Sequence, residues 1–107
     1  MSPDILRAIS AKFKAMSDPL RLSILQSLMA GEKSVGQICD EVASSQPNVS
    51  KHLSLLDQAE FIARRKVGVT VYYRIVDPSV FKICDLMCSR LQDELAASAR
   101  EIKRMKS

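Results

Sequence analysis

One side of a predicted helix in the middle of the chain carries small polar side chains suited to hydrogen bonding with DNA bases. Gln and Asn can pair bidentately with adenine, Lys can donate to guanine acceptors, and Ser can donate or accept. A run of basic residues, suited to binding phosphates, follows shortly after. The polar set is Gln46, Asn48, Ser50, Lys51 and Ser54, and the basic run is Arg64, Arg65 and Lys66. These residues predict a surface that reads DNA, the alternatives being an ordinary solvated helix face or a surface that binds protein.

The three cysteines form a second set of residues with chemical potential. Cys84 and Cys88 are spaced i, i+4, which places both sulfurs on one face of a helix, about one turn apart. Two such thiolates suit a soft ion such as As(III), Cd(II) or Cu(I). A third ligand would come from Cys39, from the first helix or from the other subunit. The alternatives are packing as small hydrophobic side chains, which is favoured for Cys39, and oxidation. A disulfide between Cys84 and Cys88 has poor geometry, so oxidation would join thiols of different elements or subunits.

Apolar periodicity predicts the helices that precede the polar surface. The spacing is helical over residues 4–16, and the pattern restarts after Asp18, which we expect to cap a second helix with Pro19 at its first position. Gly31 is expected to end that helix, and Ser34 to cap a third one. A pair of short helices joined by a tight turn is thereby predicted in front of the polar set.

The polar set itself belongs to a fourth predicted helix, capped by Ser44 or Ser45. Its inward side is formed by Val49, Leu53 and Leu56. The period then changes from helical to alternating, and residues 67–69 form a turn between two strands. The result is a helix-turn-helix followed by a basic β-hairpin, the arrangement of a winged DNA-binding module.

The predicted fold is mainly α with a small β-hairpin wing, a winged helix-turn-helix in the order α-α-α-α-β-β-α. We expect residues 1–107 to form a single DNA-binding domain, with the helix-turn-helix and wing over residues 34–76. The first and last helices, over residues 1–16 and 78–103, carry apolar stripes that this module does not use. They therefore predict a homodimer with a two-fold axis, which would hold two reading helices about 34 Å apart on an inverted repeat of double-stranded DNA. The alternative is that both helices fold back on their own core.

Composition and missing motifs narrow the function classes. Hydrophobic residues make up 47% of the 107 residues and charged residues 26%, as in a folded globular protein, and the net charge of +4 suits a nucleic-acid partner. Without an apolar run of about 18 residues or a signal-peptide pattern, we expect a cytoplasmic protein with no membrane partner. A thiol enzyme is disfavoured because there is no Cys-x-x-Cys, no phosphate-binding glycine loop and no base beside a thiol. The single histidine, His52, borders the inward helix face, which favours a structural role over metal binding.

Three linked motifs resemble the ArsR/SmtB family of winged-helix repressors. The motifs are DPLRLSIL at residues 18–25, SQPNVSKHL at 45–53 and VYYRI at 71–75. The resemblance covers residues 9–91 and implies a homodimer, built through the first and last helices, that represses an operon until an inducer lowers its DNA affinity. By the same resemblance, Gln46, Ser50 and Lys51 fall where family members contact bases.

The chain departs from the family pattern in its reading region and at its sensor sites. The wing tip has Val69 where many relatives carry a basic residue, and residues 56–61 replace the more usual basic residue and Ala-Gly-Leu. The family's arsenite site consists of a Cys-x-Cys pair and a third cysteine nearby. Residues 34–36 lack the pair, and only Cys39, at the third position, is present, so that site cannot form here. The zinc sites that relatives build from Asp and His on the last helix are unavailable, because His52 is the sole histidine.

Cys84 and Cys88 are therefore the predicted sensor residues. The sequence predicts a repressor that is released from its operator by a thiophilic metal or metalloid, such as arsenite or cadmium, bound by these cysteines. Two alternatives keep the DNA-binding role: a switch by thiol oxidation or reactive sulfur, and a repressor without a small-molecule inducer.

Overall fold

Five helices and three strands make up residues 1–106, the part of the chain that the structure, a computed structural model, describes. They are α1 (Pro3–Met16), α2 (Pro19–Leu28), β1 (Lys33–Ser34), α3 (Val35–Val42), α4 (Gln46–Gln58), β2 (Ile62–Val67), β3 (Thr70–Ile75) and α5 (Pro78–Lys106). The predicted mainly helical fold with a hairpin wing is confirmed, although α5 continues past residue 103 and α2 ends before Gly31. None of the helices in this range is long and apolar enough to span a membrane.

The strand β1 is the one element that the sequence pattern did not predict. It runs antiparallel to β3, with Lys33 opposite Tyr73 and Ser34 opposite Tyr72, so the sheet order is β1-β3-β2. Two residues are too few to show the alternation that identifies a strand. The pairing connects the inner strand of the wing to the start of α3, because Ser34 is also the N-cap of that helix.

Side-chain caps determine where the central helices begin. Asp18 caps α2 and Ser34 caps α3, both as predicted, and Gln37 completes a capping box with Ser34. At α4 the cap is Ser45 rather than Ser44, with its hydroxyl accepting the backbone N–H of the third helical residue. The caps satisfy backbone N–H groups that have no partner within the helix, and so fix where α2, α3 and α4 begin.

The core is assembled around the inward face of α4. Val49, Leu53 and Leu56 have no exposed surface, which confirms the predicted inward side. They belong to one cluster with the buried residues Met16, Ile24, Leu25, Leu28, Ile38, Phe61, Ile62 and Val80. Burial of a Leu or Val side chain contributes about 1.5–3 kcal/mol, so rotation of α4 about its axis would be strongly unfavourable.

Apolar side chains on the outer helices remain exposed. On α1 these are Ile5, Leu6, Ile9 and Phe13, and on α5 they are Leu86, Met87, Leu91 and Leu95. Within one chain, therefore, the two helices do not fold their stripes back onto the core, which was the alternative to dimerisation. Contiguous apolar surface of this kind is typical of a protein–protein contact.

The ends of α3 and α4 hold non-glycine residues in the left-handed region. Ala43 has a φ of 52° and Glu60 a φ of 64°. At Glu60 this conformation closes α4, since it brings the backbone N–H of Phe61 within 3.2 Å of the Leu56 carbonyl oxygen. An L-residue costs roughly 1–2 kcal/mol there, because its Cβ approaches its own backbone, whereas glycine avoids that cost.

We expect Glu60→Gly to raise the free energy of unfolding by about 0.5–1 kcal/mol, because the relief of strain outweighs the greater unfolded-state entropy of glycine. Urea denaturation at fixed protein concentration measures this change. The matched control is Ala8→Gly inside α1, which removes a methyl group at ordinary helical angles and should lower stability by about 1 kcal/mol. A Glu60→Gly protein that is less stable than wild type would show that the left-handed residue is not strained.

Candidate nucleic-acid interface

The polar residues predicted to read bases all lie exposed on α4. They are Gln46, Asn48, Ser50, Lys51 and Ser54. Asn48 donates from Nδ2 to Ser44 Oγ at 3.0 Å, and Ser54 Oγ accepts from Gln58 at 3.5 Å. Over residues 1–106 the structure gives Gln46, Ser50 and Lys51 no side-chain hydrogen bond or ion pair. Their polar atoms are therefore free to bind an external partner.

The N-terminus of α4 adds a positive electrostatic end to this face. Its first turn contains no acidic residue, and the cap at Ser45 occupies one backbone N–H. Pro47 has no N–H, so the N–H of Gln46 and the helix dipole are what favour an anion such as a phosphate here. The preceding turn at Ala43, with its positive φ, brings α3 to the same end of α4.

The three basic residues of β2 are divided between the two faces of the strand. Arg65 pairs with Glu32, with Nη2 to Oε1 at 2.5 Å, and its guanidinium lies 5.1 Å from the centre of the Tyr72 ring. The hydrogen bond from Arg65 holds the pKa of the Glu32 carboxyl below its usual range. Alternation along the strand places Arg64 and Lys66 on the other face. Both are exposed and have no ion pair among the described residues.

The tip of the wing is apolar. Gly68, with a φ of 61°, and Val69 form the turn between Val67 and Thr70. Val69 is 97% exposed, the largest exposure among the large hydrophobic residues of the described chain. The tip therefore has no charged side chain that could bind a phosphate electrostatically.

A polar network joins α3 to α2 and β1. The sequence analysis did not predict it. Lys33 Nζ lies 2.6 Å from both carboxylate oxygens of Glu41, and Ser27 donates from Oγ to Glu41 Oε2 at 2.5 Å. The pKa of the Glu41 carboxyl is lowered chiefly by the hydrogen bond from Lys33, and next by the hydrogen bond from Ser27. The network lines a cleft of about 280 Å³ and ties α2 and β1 to α3. Ser27 and Lys33 are separated from Glu41 by 14 and 8 residues in the chain, so no local sequence pattern predicts the network.

His52 is half-buried between α4 and the start of α2, which fits the structural role predicted for it. Its Nδ1 lies 3.8 Å from Asp18 Oδ2, too far for a hydrogen bond, and has no other partner. The pKa of the Asp18 carboxyl is lowered chiefly by the backbone N–H of Arg21, with a smaller contribution from the charge of His52.

The capping carboxylate of Asp18 makes the start of α2 sensitive to acid. Because the folded-state pKa of Asp18 is lowered, its contribution to stability is full above about pH 4 and is lost as the pH falls through that lowered value. We expect Asp18→Asn, which keeps a capping oxygen, to reduce the urea midpoint at pH 7. The difference from wild type should disappear as the pH falls below 4.

The control for this measurement is Asp40→Asn, which neutralises an exposed carboxylate of α3 that makes no side-chain hydrogen bond. It should change the midpoint less than Asp18→Asn at pH 7. A difference between Asp18→Asn and wild type that persists below the titration range would contradict a contribution from the charge.

The cysteines do not assemble a metal site within one chain. Cys84 is half-buried on α5, Cys88 is exposed one turn later, and Cys39 packs against the core from α3. No group of three or more His, Cys, Asp or Glu residues able to hold a metal ion occurs among residues 1–106. Burial raises the pKa of the Cys84 thiol, and the neighbouring Asp85 and Cys88 add to the effect.

The fold and the exposed face of α4 define a winged helix-turn-helix DNA-binding protein. Residues 18–64 match the sequence model of the bacterial regulatory protein, arsR family. The chain belongs to the ArsR family, which confirms the resemblance of its three motifs. It is a DNA-binding transcriptional regulator and not an enzyme.

The relatives agree with this assignment over most of the chain. The arsenical resistance operon repressor of Escherichia coli K12 is 33% identical, over 86% of this chain and 82% of its own. A probable mercury resistance operon repressor of Streptomyces lividans is 34% identical, over 79% and 68%. A homodimeric winged helix-turn-helix DNA-binding domain from Mycobacterium bovis, solved by NMR, matches with a TM-score of 0.78 at 26% identity, covering 89% of this chain and 91% of the other.

Proposed function

We propose that the protein is a homodimeric repressor that binds an inverted-repeat operator and releases it when Cys84 and Cys88 bind a thiophilic metal or metalloid. The observation that carries the DNA-binding part is the division of α4 into a fully buried face and an exposed polar face whose Gln46, Ser50 and Lys51 have no protein partner. An ordinary solvated helix face would not be expected on the second helix of a helix-turn-helix that is followed by a basic strand.

Each residue of the interface has a distinct proposed role. Gln46, Ser50 and Lys51 contact base edges in the major groove, where bidentate and charged hydrogen bonds distinguish base pairs. Asn48 and Ser54, which are partly engaged with neighbouring side chains, contact phosphates or bases at the rim. These assignments are supported by exposure and by the chemistry of the side chains.

The basic strand supplies phosphate contacts that add affinity without sequence information. Arg64 and Lys66 fill this role directly, because neither has a carboxylate partner among the described residues. Arg65 can bind a phosphate only if its ion pair with Glu32 breaks, so its net contribution to DNA affinity is smaller.

A homodimer is supported by the uncovered apolar stripes of α1 and α5 and by the homodimeric neighbour from Mycobacterium bovis. Two copies related by a two-fold axis would present two α4 helices to successive major grooves. The arrangement explains why a repressor of this size needs an inverted repeat, since one reading helix contacts too few bases for high affinity.

A soft-ion inducer is supported by relatives named for arsenical and mercury resistance. Cys84 and Cys88 lie one turn apart on α5, and thiolates are the ligands that such ions prefer. Because three ligands do not meet within residues 1–106, the third ligand in this proposal comes from the partner subunit. Binding must also displace the proton of Cys84, whose pKa is raised, so the affinity for the ion should rise with pH.

DNA binding is tested by fluorescence anisotropy on an inverted-repeat duplex selected by the protein from random DNA, against a scrambled duplex. We expect Gln46→Ala to weaken binding to the repeat by about 5- to 100-fold, with little change on scrambled DNA, because base contacts are lost. Lys66→Ala should weaken both and reduce the slope of log affinity against log salt by about 1 per subunit.

Arg65→Ala is the matched control for Lys66→Ala, since it removes the same charge from a residue already paired with Glu32. Its effect on the salt slope should be the smaller of the two. Equal affinity of the wild type for selected and scrambled DNA would contradict a sequence-specific repressor.

The inducer is tested with reduced protein bound to the same duplex. We expect stoichiometric arsenite to release the wild type, and Cys84→Ser/Cys88→Ser to bind DNA normally but ignore arsenite, because its thiolate pair is gone. Cys39→Ser is the control for a cysteine that packs on the core, and it should still respond. An arsenite response that survives the double substitution would refute this site, and release by oxidant that a reductant reverses would favour the redox switch.

A further inference from the structure

The C-terminal end of the reading helix has no positive charge of its own. The last turn of α4 contains no basic residue, whereas Asp57 lies in it and Glu60 follows it. Two carboxylates therefore lie close to the negative end of the helix dipole. Their repulsion is unfavourable unless a cation lies nearby. The missing charge has to come from another element.

Lys12 of α1 supplies that cation across the chain. Its Nζ donates to the carbonyl oxygen of Ala59, the C-cap of α4, at 2.8 Å in a part-buried contact. The same ammonium lies 4.9 Å from the centre of the Phe61 ring. Cations near helix C-termini and over aromatic rings are both stabilised electrostatically. By contrast, Arg7 of α1 bonds only locally, to Asp4.

The same junction reaches the start of α5. The carbonyl oxygen of Phe61 accepts the backbone N–H of Val76 at 2.9 Å and that of Asp77 at 3.3 Å. The ring of Phe61 and the stem of Lys12 line an apolar groove of about 170 Å³, together with Ile83 on α5. Residues of α1 and of α5 therefore both border Phe61, which follows the end of α4.

We propose that Lys12 is a positioning residue that couples the outer helices to the reading helix and so sets the spacing of the two reading helices in the dimer. This inference rests on the proposed function, since it requires a dimer that binds a repeat. Lys12 does not contact DNA in this proposal. Its role is to hold the end of α4 against α1, so that a displacement of the outer helices displaces the reading helix as well.

The test compares two duplexes: the repeat selected by the wild type, and the same repeat with one base pair inserted between its half-sites. The ratio of the two affinities measures how strictly the helix spacing is held. We expect Lys12→Met to reduce that ratio by about 5- to 10-fold, the size of an ordinary coupling between sites. Lys12→Arg, which can donate to the same carbonyl and lie over the same ring, should retain the ratio within about twofold.

Lys14→Met is the matched control, since it removes the same charge from an exposed position of the same helix. If Lys12 only stabilised the fold, Lys12→Met would lower the active fraction of the protein equally on both duplexes. The ratio of the two affinities would then be unchanged. If Lys12→Met does not fold, Lys12→Gln, which keeps a neutral donor, takes its place and should show an intermediate loss.

The outcomes separate this inference from the proposed function. If the wild type prefers the selected repeat but Lys12→Met and Lys14→Met give the same ratio, the positioning role is overturned and the repressor proposal stands. If the wild type shows no preference for the repeat over scrambled DNA, the repressor proposal fails and the positioning role fails with it.

Discussion

The structure depends on the complete burial of one face of α4. Val49, Leu53 and Leu56 have no exposed surface, so a rotation of this helix would bring apolar side chains into water and polar ones into the core. The opposite face must therefore point outward, where packing in the core does not constrain its residues. The turn at Ala43, the strands and the contact from Lys12 all act on a helix whose rotation is already determined.

Features that a single element encodes could be predicted from the sequence, whereas features that join distant elements could not. The caps at Asp18 and Ser34 and the inward residues of α4 follow from local spacing, and the structure confirms them. The strand β1 exists only because β3 pairs with it. The pair of Arg65 with Glu32 spans 33 residues and that of Lys12 with Ala59 spans 47, so no periodicity within a segment reveals either one.

The basic strand shows why a run of charge is not yet a binding surface. Three consecutive cations look equivalent in the sequence, but the alternation of a strand gives Arg65 to one face and its two neighbours to the other. Glu32, from the loop before β1, neutralises the cation that lies on its side. A consecutive run therefore overstates the number of cations on one face, and the register of the hairpin decides which of them lies beside Glu32.

The surface that would hold the dimer and the residues that would sense a soft ion are continuous along α5. Cys84 borders the core and Cys88 is exposed among the apolar residues that one chain leaves uncovered. Under the proposed function, a partner subunit both covers that stripe and completes the ligand set. An ion bound there would change the contact between subunits directly, because no separate domain lies between sensor and interface. If Lys12 positions α4 as proposed, its hydrogen bond to Ala59 would transmit such a change to the reading helix.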